Sequence, residues 1–449
     1  MLGYLLKSQC FKTFFAYYPV QLFFCIFVFY DPMKRLNKLA GMPRLYLIVL
    51  RGLSILAKFL FTTLFFKYSE VDFGAYSLMA TTLVLFVFVL GMDFYSYANR
   101  AILAQGSQVV KILFNQFSLY FILYVIFFPL IYYIYKLEHF NPAFFYLFYL
   151  VLISEHLNYE LYRLFFVFKK PLAANINLFL RNGFWVLLAA IYLFWHNAIN
   201  LPLIYQLWLG GNMAALIFSL ILVFNQVDSL NKDHLVWDKK WIAKGLYVSL
   251  PFLLGSLAYK TIEFSDRYLI DYFLDKKALG VYAFFANMAN VLNIVLFTLV
   301  VSVLYPPLVE SIMKKQIDKF KIIYRQFKKE LFYLALAGGA GLAVLLPLIL
   351  KYIGKEQYLD QYGVFLLLLA GNIILNFSFL FHFVIYAYRR DWKIFKATAY
   401  GAGINVVLNI FLIPLWGIAG AAVATLVSFL LVTLVKYKDA HKLLQSYSL

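Results

Sequence analysis

Four charged residues, Lys260, Glu263, Asp266 and Arg267, fall within the stretch Ser256 to Asp271 (SLAYKTIEFSDRYLID), inside a long apolar run. A charge at a bilayer centre costs at least about 2.5–3.5 kcal/mol on insertion scales, so these residues are predicted to face protein or a water-filled cavity. Lys260 and Arg267 are nearly two helical turns apart and so share a helix face. Arg51 and Lys58 repeat that spacing on an apolar run near the start of the chain, and Arg181 is an isolated cation on another. Together these cations would line a cavity that accepts an anion, such as a phosphate or an acidic sugar. The competing reading for Lys260 and Arg267 is a closed ion-pair network, because Glu263 lies one turn from each and can neutralise both. Asp266 points off that face. Arg51 can instead snorkel to headgroups. Lys58 and Arg181 have no acidic residue one turn away, which favours the cavity role for them.

Further acids inside apolar runs are Asp93, Glu155 and Glu160. Asp93 ends its run, and a boundary ion pair is predicted. Glu155, Glu263 and Asp266 are the candidates for proton or ion coupling. Glu160 has Arg163 close by and is predicted to pair. His382 stands alone and reads as a satisfied packing histidine. No phosphate-cradling glycine loop with lysine, metal-spaced histidines or triad is present, so no catalytic residue, metal or cofactor is predicted. The only cysteines are Cys10 and Cys25, which leaves no disulfide framework and no thiolate metal site.

The elements that hold these residues must be membrane helices. Of 449 residues, 64% are hydrophobic and 14% charged, and apolar runs of about 20 residues recur. The fold class predicted is an all-α polytopic membrane protein with twelve spans between about 44 and 436. The second span is placed at about 73–96 and the fourth at about 142–162. The net charge of +19 sits in short loops, a topology signal rather than a nucleic-acid footprint. With the start of the twelve-span core in the cytoplasm, nearly all loop lysines and arginines fall on that side. The other side holds only Lys67, Lys136, Lys276, Lys277, Lys351 and Lys355. Both ends of the core are therefore predicted to be cytoplasmic. Residues 1–42 leave two readings open: an extra or interfacial helix, or a true start at Met33 or Met42.

An internal repeat divides the core. Phe73-Gly74-Ala75-Tyr76 opens the second span and Leu279-Gly280-Val281-Tyr282 the eighth, each after a short polar loop with acidic residues. The offset is close to half the chain. The prediction is an N-lobe (43–230) and a C-lobe (231–436), two parallel six-helix lobes around a central cavity, followed by a tail (437–449). That is a transporter architecture.

The run from Asn405 to Ser428, with Asn405, Asn409, Pro414, Gly417, Gly420, Ala421 and Ala422, resembles the N-x3-N-x4-P-x2-G-x2-GAA pattern of Wzx-type polysaccharide-unit flippases. These belong to the multidrug/oligosaccharidyl-lipid/polysaccharide exporters. Leu250-Pro251, Ser265-Asp266-Arg267 and Leu279-Gly280-Val281-Tyr282 are similar to that family's seventh and eighth spans, and Arg51-Gly52 through Phe73-Gly74-Ala75-Tyr76 to its start. The resemblance covers about 44–436. It implies two lobes in a V that rock between inward- and outward-open states in a bacterial cytoplasmic membrane. The cargo implied is an undecaprenyl-pyrophosphate-linked oligosaccharide (an O-antigen, capsule or exopolysaccharide repeat unit), with a proton or sodium gradient as drive. Partners would be membrane lipids and the polymerase and chain-length proteins of the same pathway, not nucleic acid. Two alternatives remain: a cation-coupled drug or metabolite antiporter, whose cavity should be dominated by carboxylates, and a membrane-embedded polymerase, which would need a sizeable outer loop.

Overall fold

The computed structural model describes residues 42–104, 108–225 and 235–444. The readings for residues 1–41, for the lobe boundary at 230/231 and for the last five residues lie outside them. The described residues are helical throughout, with no strand among them: α1 Met42–Tyr68, α2 Glu70–Gly91, α3 Tyr95–Ala104, α4 Val109–Leu137, α5 Phe145–Val167, α6 Pro171–His196 and α7 Leu201–Phe224. They continue with α8 Lys239–Phe273, α9 Lys276–Met313, α10 Ile317–Tyr352, α11 Tyr362–Ala387, α12 Asp391–Trp416 and α13 Ile418–Leu444.

Among the described residues, 11 helices are long and apolar enough to cross a membrane. Helix α5, the predicted fourth span, is not among them. Its sequence carries Glu155, His156, Asn158 and Glu160, and all four are buried. They turn toward neighbouring helices rather than lipid, which is how a polar helix remains compatible with a bilayer. The second span is shorter than predicted. Met92 and Asp93 take left-handed backbone angles (φ 48° and 47°), so α2 ends at Gly91 and α3 starts separately.

Helix packing follows two groups. The α5 helix packs on α6 and α7; α8 packs on α12, and α13 on α11 and α12. The main contact between the groups is α2 against α9, and the repeat explains it. Ser69 caps α2, accepting from Asp72 N at 3.1 Å, and Asp275 caps α9, accepting from Ala278 N at 2.7 Å. Each cap satisfies an orphan donor of a helix start. At the same distance past each cap lies a glycine, Gly74 or Gly280. A Cβ on Gly74 would overlap the carbonyl oxygen of Lys276; one on Gly280 would overlap that of Glu70. The reciprocity is what a local two-fold relation between the repeats produces.

The C-terminal motif also acts through backbone packing. Gly417 joins α12 to α13 with φ +59°, and a Cβ on Gly420 would overlap the Leu412 carbonyl. Asn405 accepts from Ser265 Oγ on α8 at 2.7 Å and from Asn409 Nδ2 at 3.0 Å. These amides hold α12 to α8, as polar groups do between membrane helices.

Gly280→Val forces the α2–α9 crossing apart at backbone atoms and is expected to cost about 1–3 kcal/mol. Gly255→Ala, with open space around it, is expected to be neutral. Thermal unfolding of the two variants in the same detergent compares them.

Candidate functional site

The first wall of the polar interior is built by α1, α5, α6 and α7. Arg181 lies in a π-helical turn, Leu180–Phe184, that interrupts α6. Such turns shift side-chain register and often mark functional positions. Arg181 Nη1 donates to Glu155 Oε1 at 2.7 Å, and its guanidinium sits 4.9 Å from the Tyr159 ring centroid. Glu155 Oε2 also accepts from Trp208 Nε1 at 3.1 Å. Trp208 stacks on Trp185 at 4.9 Å, and Trp185 Nε1 donates to the Arg181 carbonyl at 2.8 Å. Arg51 Nε donates to Asn175 Oδ1 at 2.8 Å. Lys58 is different. It is exposed and has no hydrogen-bond or ion-pair partner among the described residues, although Glu155 and Arg181 act on it electrostatically.

The second wall is the middle of α8. Lys260 Nζ donates to Glu263 Oε2 at 2.7 Å, and both side chains keep some exposure (16% and 31%). Arg267 Nη1 donates to Thr81 Oγ1 on α2 at 2.7 Å. Asp266 accepts from the Tyr282 hydroxyl on α9 and from the Arg267 backbone N–H. A recess beside these residues is lined further by Tyr259, Asn287, Asn290 and Asn372.

Aromatic rings on α2 and α5 link the walls. Arg181 lies over Tyr159, Tyr159 contacts Phe88 edge-on at 6.2 Å, and Lys260 lies 5.4 Å from the Phe88 centroid. Cations over ring faces are attracted by the ring quadrupole. Tyr76 is within electrostatic reach of both Arg267 and Glu155. The site is thus one polar interior rather than two.

One end of this interior is sealed beside the glycine crossing. Lys355 Nζ and the Tyr358 hydroxyl both donate to Glu70 Oε1, at 2.6 and 2.9 Å. Phe66 of α1 stacks on Phe284 of α9 at 4.2 Å. Farther along α1, Lys58 and Leu53 are exposed.

Several sequence expectations are corrected here. Arg181, expected to face cargo, is 2% exposed and neutralised by Glu155. Reading acids one turn away on the same helix missed a partner on α5. Glu155, a coupling candidate, is thereby held by Arg181 and Trp208. Glu263 pairs with Lys260 alone, while Arg267 reaches across to Thr81, because the side of α8 that carries it faces α2. His382 is not satisfied: its Nδ1 is buried without a partner among the described residues. Other expectations match the geometry. Asp93 lies 3.9 Å from Arg163 and accepts from Ser256 Oγ at 2.6 Å; Glu160 pairs with Arg163 at 2.7 Å. Sequence reasoning missed the Glu70–Lys355 contact, which no spacing rule reveals, and the asparagines of α9. The latter left a readable signal, three amides one turn apart in an apolar span.

Glu155→Ala leaves a buried guanidinium unpaired and is expected to cost about 3–5 kcal/mol. Lys58→Ala breaks no contact with described residues and is expected to stay within about 0.5 kcal/mol. Midpoints of thermal unfolding test this ranking, and equal losses contradict it.

The chain is 25% identical over 261 residues to the uncharacterized membrane protein MJ1068 of Methanocaldococcus jannaschii, a match covering 57% of this chain and 50% of that protein. The chain thus spans about half the length of the curated relative it matches. An inward-facing multidrug resistance MATE family transporter of the MOP superfamily aligns with TM-score 0.69 at 12% identity, over 88% of this chain and 95% of that one. The lipid II flippase MurJ, in an inward closed conformation, aligns with TM-score 0.64 at 14% identity, over 88% and 87%. These likenesses show that the chain shares the fold of those proteins. A family model described as polysaccharide biosynthesis protein matches residues 44–312, more than half the chain, and the chain belongs to that family.

Proposed function

We propose that this protein is a flippase that carries an undecaprenyl-pyrophosphate-linked oligosaccharide, a repeat unit of O-antigen, capsule or exopolysaccharide, across the cytoplasmic membrane by alternating access. The observation that carries this reading is Lys58. It is a cation in the middle of a span, exposed and unpaired among the described residues, with Glu155 and Arg181 of the first wall within electrostatic reach. An unpartnered charge at that depth is unfavourable unless water or a ligand meets it. A pyrophosphate supplies the complementary anion. Arg51, which among the described residues is bound only to a neutral amide, can join it. Lys260 and Arg267 become available when Glu263 or Thr81 releases them. Arg181 fixes the shape of the wall and does not touch cargo.

The sealed end carries Lys276, Lys277, Lys351 and Lys355, the lysine-poor outer side in the topology read from the loops. On that assignment the cavity faces the cytoplasm, where such substrates are assembled. A drug antiporter is less well supported, since the first wall, apart from the closed Glu160–Arg163 pair, sets Arg51, Lys58 and Arg181 against Glu155. Among the coupling candidates, Asp266 is the best placed. Its partners are a hydroxyl and a backbone N–H, so a proton or sodium ion can bind without displacing a cation. Glu155 and Glu263 are already paired. Polymerase and chain-length proteins would receive the exported unit.

Proteoliposomes loaded with a lipid-linked oligosaccharide give the test. Lys58→Ala is expected to slow leaflet exchange at least tenfold with folding intact; an unchanged rate sinks the cationic-cavity reading. Asp266→Asn is expected to keep substrate binding and lose acceleration by an imposed proton or sodium gradient.

A further inference from the structure

Helix α9 is enclosed by protein along its first half. From Leu279 to Leu296 the residues that keep some exposure are Ala286, Asn287, Asn290, Asn293 and Ile294. Most of that stripe is amide. In a helix that otherwise presents apolar side chains to its neighbours, the amides border the recess next to Glu263 and Arg267.

Amides in membrane spans often serve only to join helices, and part of this set does so. Asn376 of α11 donates to Asn293 Oδ1 at 2.9 Å, and Asn293 Nδ2 donates to Asn290 Oδ1 at 2.9 Å. That leaves Asn290 Nδ2 and the whole Asn287 amide without a protein partner among the described residues. Asn372 Nδ2 donates to the Leu368 carbonyl at 3.1 Å, which leaves its oxygen available. Each asparagine side chain has donors and an acceptor, so the stripe retains both kinds of unused capacity. Helix joining accounts for Asn293 and Asn376 but not for Asn287.

Charge separates the two walls. On the first wall, apart from the closed Glu160–Arg163 pair, three cations, Arg51, Lys58 and Arg181, face one carboxylate, Glu155. On the second, Lys260 and Arg267 are balanced by Glu263 and Asp266. An anionic group is therefore drawn to the first wall. The second is formally neutral, rich in amides, and flanked by the rings of Tyr259 and Phe429. Neutral donors and acceptors beside aromatic faces match sugar hydroxyl and acetamido groups, whose C–H faces pack on rings.

We infer that Asn287 and Asn290, together with Asn372, form the saccharide-recognising wall of the cavity, while Lys58 on the opposite wall takes the pyrophosphate. This rests on the flippase reading above. It makes the amide stripe the specificity element: a site built to hydrogen-bond a hydroxyl discriminates strongly against a ligand that lacks it.

The experiment measures binding of two probes to the purified full chain in nanodiscs, farnesyl pyrophosphate and farnesyl-pyrophosphoryl-N-acetylglucosamine. Wild type is expected to bind the glycosylated probe at least tenfold more tightly. Asn287→Ala/Asn290→Ala is expected to reduce that preference to threefold or less, with affinity for the bare pyrophosphate unchanged. Lys58→Ala is expected to weaken both probes by the same factor. The inference is overturned if the asparagine variant keeps the preference, if it weakens both probes equally, or if wild type shows no preference. If wild type binds neither probe, the flippase reading falls and this one with it. Should the double variant not fold, Asn287→Ala alone, which removes no hydrogen bond to described residues, is expected to lower the preference at least threefold; an unchanged preference overturns the inference.

Discussion

A charged side chain cannot rest in hydrocarbon without water or a partner, and the arrangement of α1, α2, α5, α6 and α8 follows from that constraint. Arg181 illustrates it most sharply. Its guanidinium, carried on a π-helical turn, donates to Glu155 and lies over the Tyr159 ring, while Trp208 donates to the same carboxylate and Trp185 to the Arg181 carbonyl. Once that pair is closed, Lys58 is left beside it with no counterion of its own. Pairing Arg181 with Glu155 limits the mutual repulsion that three unpaired cations on this wall would suffer, while leaving Lys58 without an ion-pair partner among the described residues.

The same constraint shapes the contact between the helix groups. The groups approach where backbone meets backbone, at Gly74 and Gly280, so closeness there does not depend on side chains. Around the crossing, polar contacts (Glu70 with Lys355 and Tyr358, Arg267 with Thr81, Thr82 with Tyr268) sit beside an apolar one, Phe66 stacked on Phe284. The polar pairs can be exchanged for water at modest cost.

Polar residues of the interior divide into those that are used up and those that are not. Asn158, Asn177, Asn212 and Ser219 hydrogen-bond among α5, α6 and α7 and rigidify the first group, although Asn177 Oδ1 and Asn212 Oδ1 stay buried without a partner among the described residues. Gln116 and Tyr120 close on Glu160 in the same way. Lys58 and Asn287 retain unused capacity, one a charge and the other an amide, on opposite walls. Unused capacity that also keeps exposure is what a ligand can reach, whereas a buried bond stabilises the fold.

The sequence by itself determined the helical membrane class, the order of the apolar helices and the repeat, whereas some helix ends run well past the apolar run, as in α10, which begins at Ile317 rather than near 330. Hydrophobic length and period are local properties written along the chain. It also determined which residues could matter, since a charge inside an apolar run is conspicuous without any structure. The pairing of those charges was decided only by the tertiary structure. Arg181 found Glu155 on another helix, Arg267 found Thr81 rather than Glu263, and Glu70 found Lys355 far along the chain. Same-helix neighbours can be counted from spacing, but partners across helices depend on crossing points and rotations set by packing. Whether a cation such as Lys58 remains free is a property of the assembled bundle, not of its own helix.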